Sequence, residues 1–183
     1  MIVDIGGGTT EVAVTSLGGI VLSSSLRSAG DEIDNAIIAY MKRKHNVLIG
    51  EMTAEMLKKN IGSVVPMADR GNMVIRGRNL LNGLPATLAV TSAEVREAMS
   101  EQVSRIIDCI RTTLENTPPE LSSDIYDNGI MLAGGGALLS GLDLLIQQLT
   151  GIRTMIAKNP MDCVAMGIGK EIDRVATPGT PSA

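Results

Sequence analysis

Asp4-Ile5-Gly6-Gly7-Gly8-Thr9-Thr10-Glu11 is the stretch from which the rest of this 183-residue chain is read. An apolar run, 2–5, leads into three glycines, and a second β-like run, Val12-Ala13-Val14, follows at once. The pattern predicts strand, tight turn, strand. Asp4 then lies at the C-terminal end of the first strand, the sheet edge where α/β folds place ligands. Glycines there let the backbone approach a ligand and aim successive N–H groups at an anion. Thr9 and Thr10 add hydroxyls. Asp4 would repel a phosphate unless a Mg²⁺ ion, or a water that it holds, lies between them. By itself the triplet is equally at home in a plain turn.

A second triplet stands far down the chain, in Ile130-Met131-Leu132-Ala133-Gly134-Gly135-Gly136-Ala137-Leu138-Leu139. It predicts a strand over 129–133, the glycines, and a helix from Ala137 to Thr150, whose N-terminus would favour an anion. Glycines at 134–136 would let a nucleotide lie flat. Two such turns at one sheet edge could clasp one nucleotide from two sides. A dinucleotide fingerprint is not met. Leu139 occupies the last glycine position, and Lys158 and Asn159 stand where an acidic residue ~20 residues on is wanted.

Composition narrows the class. Hydrophobic residues make up 44% and charged residues 20%, the balance of a globular domain. With no Phe, no Trp and only Tyr40 and Tyr126, base stacking on aromatics has almost nothing to work with. A net charge of −4 likewise argues against a nucleic-acid surface or a polybasic membrane patch. The eleven methionines are expected mostly as core filler in place of the missing aromatics. Cys109 and Cys163, without a CxxC motif, read as reduced thiols of a cytosolic chain. No apolar run reaches the ~18 residues of a membrane span. The single His45 supports no His-based zinc site and is expected on a helix surface.

Strands are expected over 2–5, 11–16 and 20–26, then a helix from Gly30 to about Lys44 carrying Ile33, Ile37, Tyr40 and Met41 at helical spacing. A second helix spans 50–62. Strands over 73–77 and 86–91 follow, then a long helix over 92–115 opened by a Thr91/Glu94 capping box. Pro118-Pro119 ends it and starts a short helix to about Ile125. A strand over 154–157 and a helix after Pro160 complete the pattern. Lys42-Arg43-Lys44 reads as a solvated helix end, and Asp31, Glu32, Asp34, Glu51 and Glu55 as helix-start charges. The fold class is α/β, a mixed sheet flanked by helices with a small inserted α+β subdomain. The larger subdomain takes 1–30 and 93–176, the insert 31–92, and 177–183 form a disordered tail.

The two turns, in this order and separation, resemble those of the actin/Hsp70/sugar-kinase ATPase superfamily. More closely, "VDIGGGTTEVAV", "AGDEIDNAII", "LIGEMTAEMLKKNIGS", "RGRNLLNGLP", "TPPELSSDI", "LAGGGALLSGLD" and "NPMDCVAMGIGK" resemble the C-terminal half of MreB-type bacterial actins. These runs cover nearly the whole chain, and "RGRNL" and "PPELSSDI" have no role in a generic ATP fold. The resemblance implies the second half of the actin-like ATPase fold, with ATP and Mg²⁺ as cofactors. It puts Gly6, Gly7, Gly8 and Thr9 on the phosphates and the water held by Mg²⁺ on Asp4. Thr9 or Thr10, with Glu11, would place the attacking water. Glu55, Met56, Leu57 and Lys58 would line the adenosine from the small subdomain; the family more often shows a polar residue where Met56 or Leu57 stands. Gly135, Gly136, Ala137 and Leu138 would form the adenosine motif.

The implied function is ATP-dependent filament formation in the bacterial cytoplasm, organising cell shape and wall synthesis. Expected partners are filament neighbours of the same kind, an N-terminal half carrying the first phosphate loop and a catalytic Glu, and membrane-anchored shape-complex proteins. Direct membrane contact by this half and nucleic-acid binding are not expected. The parent would be a weak filament-coupled ATPase, with in-line attack of water on the γ-phosphate; this half alone is expected to be inactive. Two rivals stay open: half of a superfamily sugar or acetate kinase, and a contact module that binds filament neighbours without nucleotide.

Overall fold

The computed structural model describes residues 1–66 and 70–176. The expected disordered tail, 177–183, lies outside the described residues. Strands β1 (Ile2–Ile5), β2 (Thr10–Ser16), β3 (Gly19–Leu26), β7 (Ile130–Ala133) and β8 (Thr154–Ile156) form one mixed sheet. Its order is β3-β2-β1-β7-β8. β1, β2 and β3 are antiparallel neighbours, whereas β1, β7 and β8 run parallel. Strands β4 (Val47–Leu48), β5 (Asn72–Asn79) and β6 (Pro85–Thr91) form a second, antiparallel sheet. The two-residue β4 carries too little pattern to be read from sequence.

β2 alternates buried and exposed residues, so Thr10, Val12 and Val14 face the core while Glu11 and Thr15 face out. Leu17 and Gly18 both take positive φ, 51° and 77°, the conformation that matches the strands' twist in a two-residue hairpin. Helix α3 (Ser92–Glu115) packs on β2 and β3 and against α1 (Gly30–His45). Its Val103, Ile106 and Ile110 join Val3, Ile5, Val12, Ile33 and Ile37 in one core. The Thr91/Glu94 capping box is present: the Glu94 N–H donates to Thr91 Oγ1, and the Thr91 N–H to the Glu94 carboxylate. Helix α2 (Glu51–Asn60) rests on α1. Pro119 opens α4 (Pro119–Asn128), which runs three residues past Ile125 to a Gly129 at φ +86°.

Three expectations change. Among the described residues only Met41 and Met99 of the methionines are buried, and Met52, Met56, Met161 and Met166 are exposed, so methionine there serves the surface as much as the core. His45 is half-buried, its Nε2 2.8 Å from Glu94 Oε1, because the end of α1 lies against the start of α3. Lys42, Arg43 and Lys44 are exposed in the last turn of α1, as expected, and Lys44 Nζ also donates to the Tyr40 hydroxyl at 2.6 Å, which donates to Glu97. The helix expected over 137–150 is broken. A 3-10 turn covers Gly135–Leu138, and α5 begins only at Leu142, after Gly141 at φ +82°. The Ser140 carbonyl accepts the Val64 N–H and the Ser63 hydroxyl instead of a helical partner.

Candidate functional site

The first glycine turn is held from below. The Gly6 N–H donates to the Thr9 carbonyl at 2.9 Å and closes the loop. Its own carbonyls point at the start of α1: Gly6 O accepts the Gly30 N–H at 3.1 Å, and Gly7 O the Asp31 N–H at 2.9 Å. The N–H groups of Gly7, Gly8 and Thr9 meet no protein acceptor among the described residues. Gly7, Gly8 and Thr9 are all exposed. Three successive free N–H groups at a strand end are the donors from which an anion nest is built. Gly8 has ordinary negative φ and open space where a Cβ would stand. Neither packing nor conformation therefore asks for glycine there, whereas a ligand in close approach does.

The second turn lies beside the first because β7 pairs with β1, Ala133 against Asp4. A Cβ on Gly134 would overlap the Ile5 carbonyl and the Asp4 carboxylate, and one on Gly136 the Ile5 side chain. These two glycines let the turns touch. Gly135, like Gly8, is exposed, open and at ordinary φ. The Gly134 N–H is spent on the Pro160 carbonyl at 2.7 Å. The start of an α-helix, expected just after the glycines, is replaced by the 3-10 turn, so flat glycine surface is what remains for a ligand.

Asp4 sits between the turns and directly opposite Glu11 on β2. No ion pair involves either residue among the described residues. Burial, then the Glu11 charge, holds the Asp4 carboxyl above its ordinary range. An unneutralised carboxylate pair fits a hydrated divalent cation. No cluster of three possible metal ligands exists among the described residues. A Mg²⁺ here would therefore keep its waters and lean on ligand oxygens, as that ion does.

The other predicted residues divide. Thr9 is exposed at the nest, but Thr10 is fully buried and donates its hydroxyl to Ser28 O at 2.7 Å. Thr10 is therefore committed to structure and is not free to place a water. On α2, Met56 is exposed and Glu55 pairs with Lys59 at 2.6 Å. Leu57 faces the core, fully buried, because helical periodicity turns it away from its neighbours. Its side chain is not available to a ligand, which corrects the sequence reading. Lys58 reaches back to α1, where Nζ donates to Gly30 O at 3.1 Å and to Asp34 Oδ2 at 2.7 Å. Ala137 is buried and Leu138 exposed. Asp34 stands just past the first turn of α1, where the helix dipole no longer favours an acid, and Lys58 is its partner.

A mixed sheet with two glycine turns at one edge, and a helix from a second sheet beside them, defines half of an actin-like ATPase fold. Solved structures agree. The Spiroplasma citri MreB5 structure bound to ADP aligns with a TM-score of 0.92 at 41% identity, over 97% of this chain and 55% of that one. Its AMPPNP complex gives 0.87 at 40%, over 95% and 54%. The MamK double helical filament shares the fold at 24% identity, with a TM-score of 0.71 over 87% of this chain and 50% of that one. The profile of the MreB/Mbl protein family matches residues 1–179, and the chain belongs to that family. It is 50% identical to cell shape-determining protein Mbl of Bacillus subtilis (strain 168), over 96% of this chain and 53% of Mbl. It is 49% identical to cell shape-determining protein MreB of Escherichia coli (strain K12), over 96% and 50%. The chain thus spans about half the length of the curated relatives it matches.

Proposed function

We propose that this chain forms one wall of a Mg-ATP site in a bacterial actin-like cytoskeletal protein, whose parent polymerises to organise cell shape and wall synthesis. The observation that carries this reading is the nest of free N–H groups on Gly7, Gly8 and Thr9, with Gly8 and Gly135 open on both sides of Asp4. Gly6, Gly7, Gly8 and Thr9 receive the phosphates. Asp4 holds Mg²⁺ through water. Gly135, Gly136 and Leu138 offer flat surface to the adenosine, with Ala137 contributing backbone only. Met56, Glu55 and Lys58 close the base and ribose from α2, the Met56 thioether lying against the ring. The ADP and AMPPNP complexes of MreB5 support the nucleotide class.

The rest of the reading concerns partners. Helix α6 (Cys163–Ala176) exposes Val164, Ile168 and Ile172 at helical spacing and carries Gly167 and Gly169 in its interior. An apolar stripe with helix-weakening glycines suits a closely packed neighbour. We read that neighbour as the first half of the family fold, with the small insert 31–92 and the larger 1–30 and 93–176 forming the two subdomains of this half. Filament neighbours of the same kind and membrane-anchored shape-complex proteins complete the set, in the cytoplasm, with the parent's filaments at the membrane. Among the described residues no helix is long and apolar enough to cross a membrane. Turnover is assigned to the parent, and this chain alone is expected to hydrolyse no ATP.

The test is a ¹H–¹⁵N titration of the chain with Mg-ATP. Saturable shifts of the Gly7, Gly8, Thr9 and Gly135 amides are expected. A folded chain whose spectrum does not respond overturns the nucleotide reading and leaves the contact-module reading in its place.

A further inference from the structure

Asp34 does more than its place in α1 requires. The first-turn acids Asp31 and Glu32 are exposed, as helix-start charges should be. Asp34 stands a turn further in, with 14% of its side chain exposed, and pairs across helices with Lys58, itself at 15%. A half-buried ion pair between two helices is costly to desolvate and yields little net stability compared with apolar packing. What such a pair does supply is a fixed position for each partner.

The position supplied here is next to the phosphate turn. Lys58 Nζ donates both to Asp34 Oδ2 and to the Gly30 carbonyl. Gly30 in turn donates its N–H to Gly6 O. A Cβ built on Gly30 would lie 3.6 Å from Lys58 Nζ and 3.6 Å from the Gly7 Cα, so the ammonium and the loop both lie close to Gly30. An ammonium has three N–H groups, of which two are used, and the third meets no protein acceptor among the described residues. Asp34 Oδ1 is buried and has no hydrogen-bond partner among them. Burial raises the Asp34 pKa while the Lys58 hydrogen bond and charge pull it down. Lys58 thus keeps one N–H that a ligand acceptor can meet, while Asp34 Oδ1 stays enclosed behind the pair.

We propose that Asp34 is a positioning residue of the nucleotide site: it holds Lys58 on Gly30, beside the Gly6–Gly8 turn, with one N–H left for the nucleotide. In doing so it ties α2, which faces the adenosine, to the turn that takes the phosphates. The nucleotide then meets the two surfaces as one unit. The proposal rests on the nucleotide reading above.

The experiment compares Mg-ADP affinity of the full chain with that of Asp34→Asn, Lys58→Met and the double variant, by amide-shift titration. Asp34→Asn should weaken binding about tenfold and move the Gly30 and Gly7 amides of the free protein, by the coupling expected within one network. In the Lys58→Met background, Asp34→Asn should cost nothing further, which a merely structural role would not produce. If Asp34→Asn does not fold, Asp34→Glu carries the test. It keeps the charge but displaces the carboxylate, and it should weaken binding at an unchanged melting temperature. A wild-type chain that binds while the Asp34 variants bind equally well, or losses that add in the double variant, overturns this proposal alone. A wild-type chain that takes up no Mg-ADP overturns the nucleotide reading together with it.

Discussion

Replacing Asp4 by Asn should make the free protein more stable and its nucleotide binding worse. Asp4 faces Glu11 directly across the β1–β2 ladder, and no cation pairs with either among the described residues. Like charges directly opposite in a sheet cost about 0.2–1 kcal/mol. Burial of the Asp4 carboxylate adds a penalty of the same sign. Among the described residues no hydrogen bond of the Asp4 side chain offsets this, so the isosteric amide removes a cost and breaks no contact among them. For a chain of 183 residues, about 1 kcal/mol corresponds to roughly 2–4 °C. A rise of about 1–3 °C in the melting temperature is therefore expected by calorimetry. The same change removes the charge that would hold the hydrated Mg²⁺, so Mg-ATP affinity should fall by about tenfold, or ~1.4 kcal/mol. Adding or removing Mg²⁺ should then make little difference to the variant. A lower melting temperature would show that Asp4 has a stabilising partner, and an unchanged Mg²⁺ dependence would show that the ion is held elsewhere. Either result refutes the reasoning.

Further outcomes follow from the same geometry. Gly8→Val and Gly135→Val point into open space at ordinary φ, so both should fold with native amide spectra yet lose the Mg-ATP response. Gly134→Ala, at φ +77° with its Cβ on the Ile5 carbonyl, should destabilise by about 1–3 kcal/mol in urea unfolding. Lowering the pH should act on Asp4 in two opposed ways. Its folded pKa is raised, so the folded state keeps the proton to higher pH than the unfolded chain. The Asp4 contribution to stability is full below the unfolded value and is lost as pH rises through the folded one, while Mg-ATP affinity falls as pH drops through that folded value. Titrations across the acid range should show this crossing in the wild type and not in Asp4→Asn. Met99→Ala, which opens a cavity in a fully buried site, should cost about 2–5 kcal/mol without moving the glycine-turn amides.

Much of the fold could be read from local pattern. The hairpin strands, the amphipathic α1 and α3, and the Thr91/Glu94 cap depend on side-chain period and on interactions within a few residues, which sequence order preserves. The glycine turns were visible for the same reason, and so was Asp4 at the strand end. Other features depend on what the chain meets in three dimensions. The break at Leu139–Gly141 follows from the Ser140 carbonyl being taken by residues 63 and 64. Thr10 and Thr9 are neighbours of the same type, yet pleating sends one into the core and leaves the other at the nest. Leu57 and Met56 part for the equivalent reason on a helix. Asp34 and Lys58, 24 residues apart, become partners only when α2 lies down on α1. The sequence by itself determined the period of each element and the family. Tertiary structure alone decided which of the matching residues are exposed at the turns and which are buried, because exposure depends on contacts between segments that no local pattern encodes.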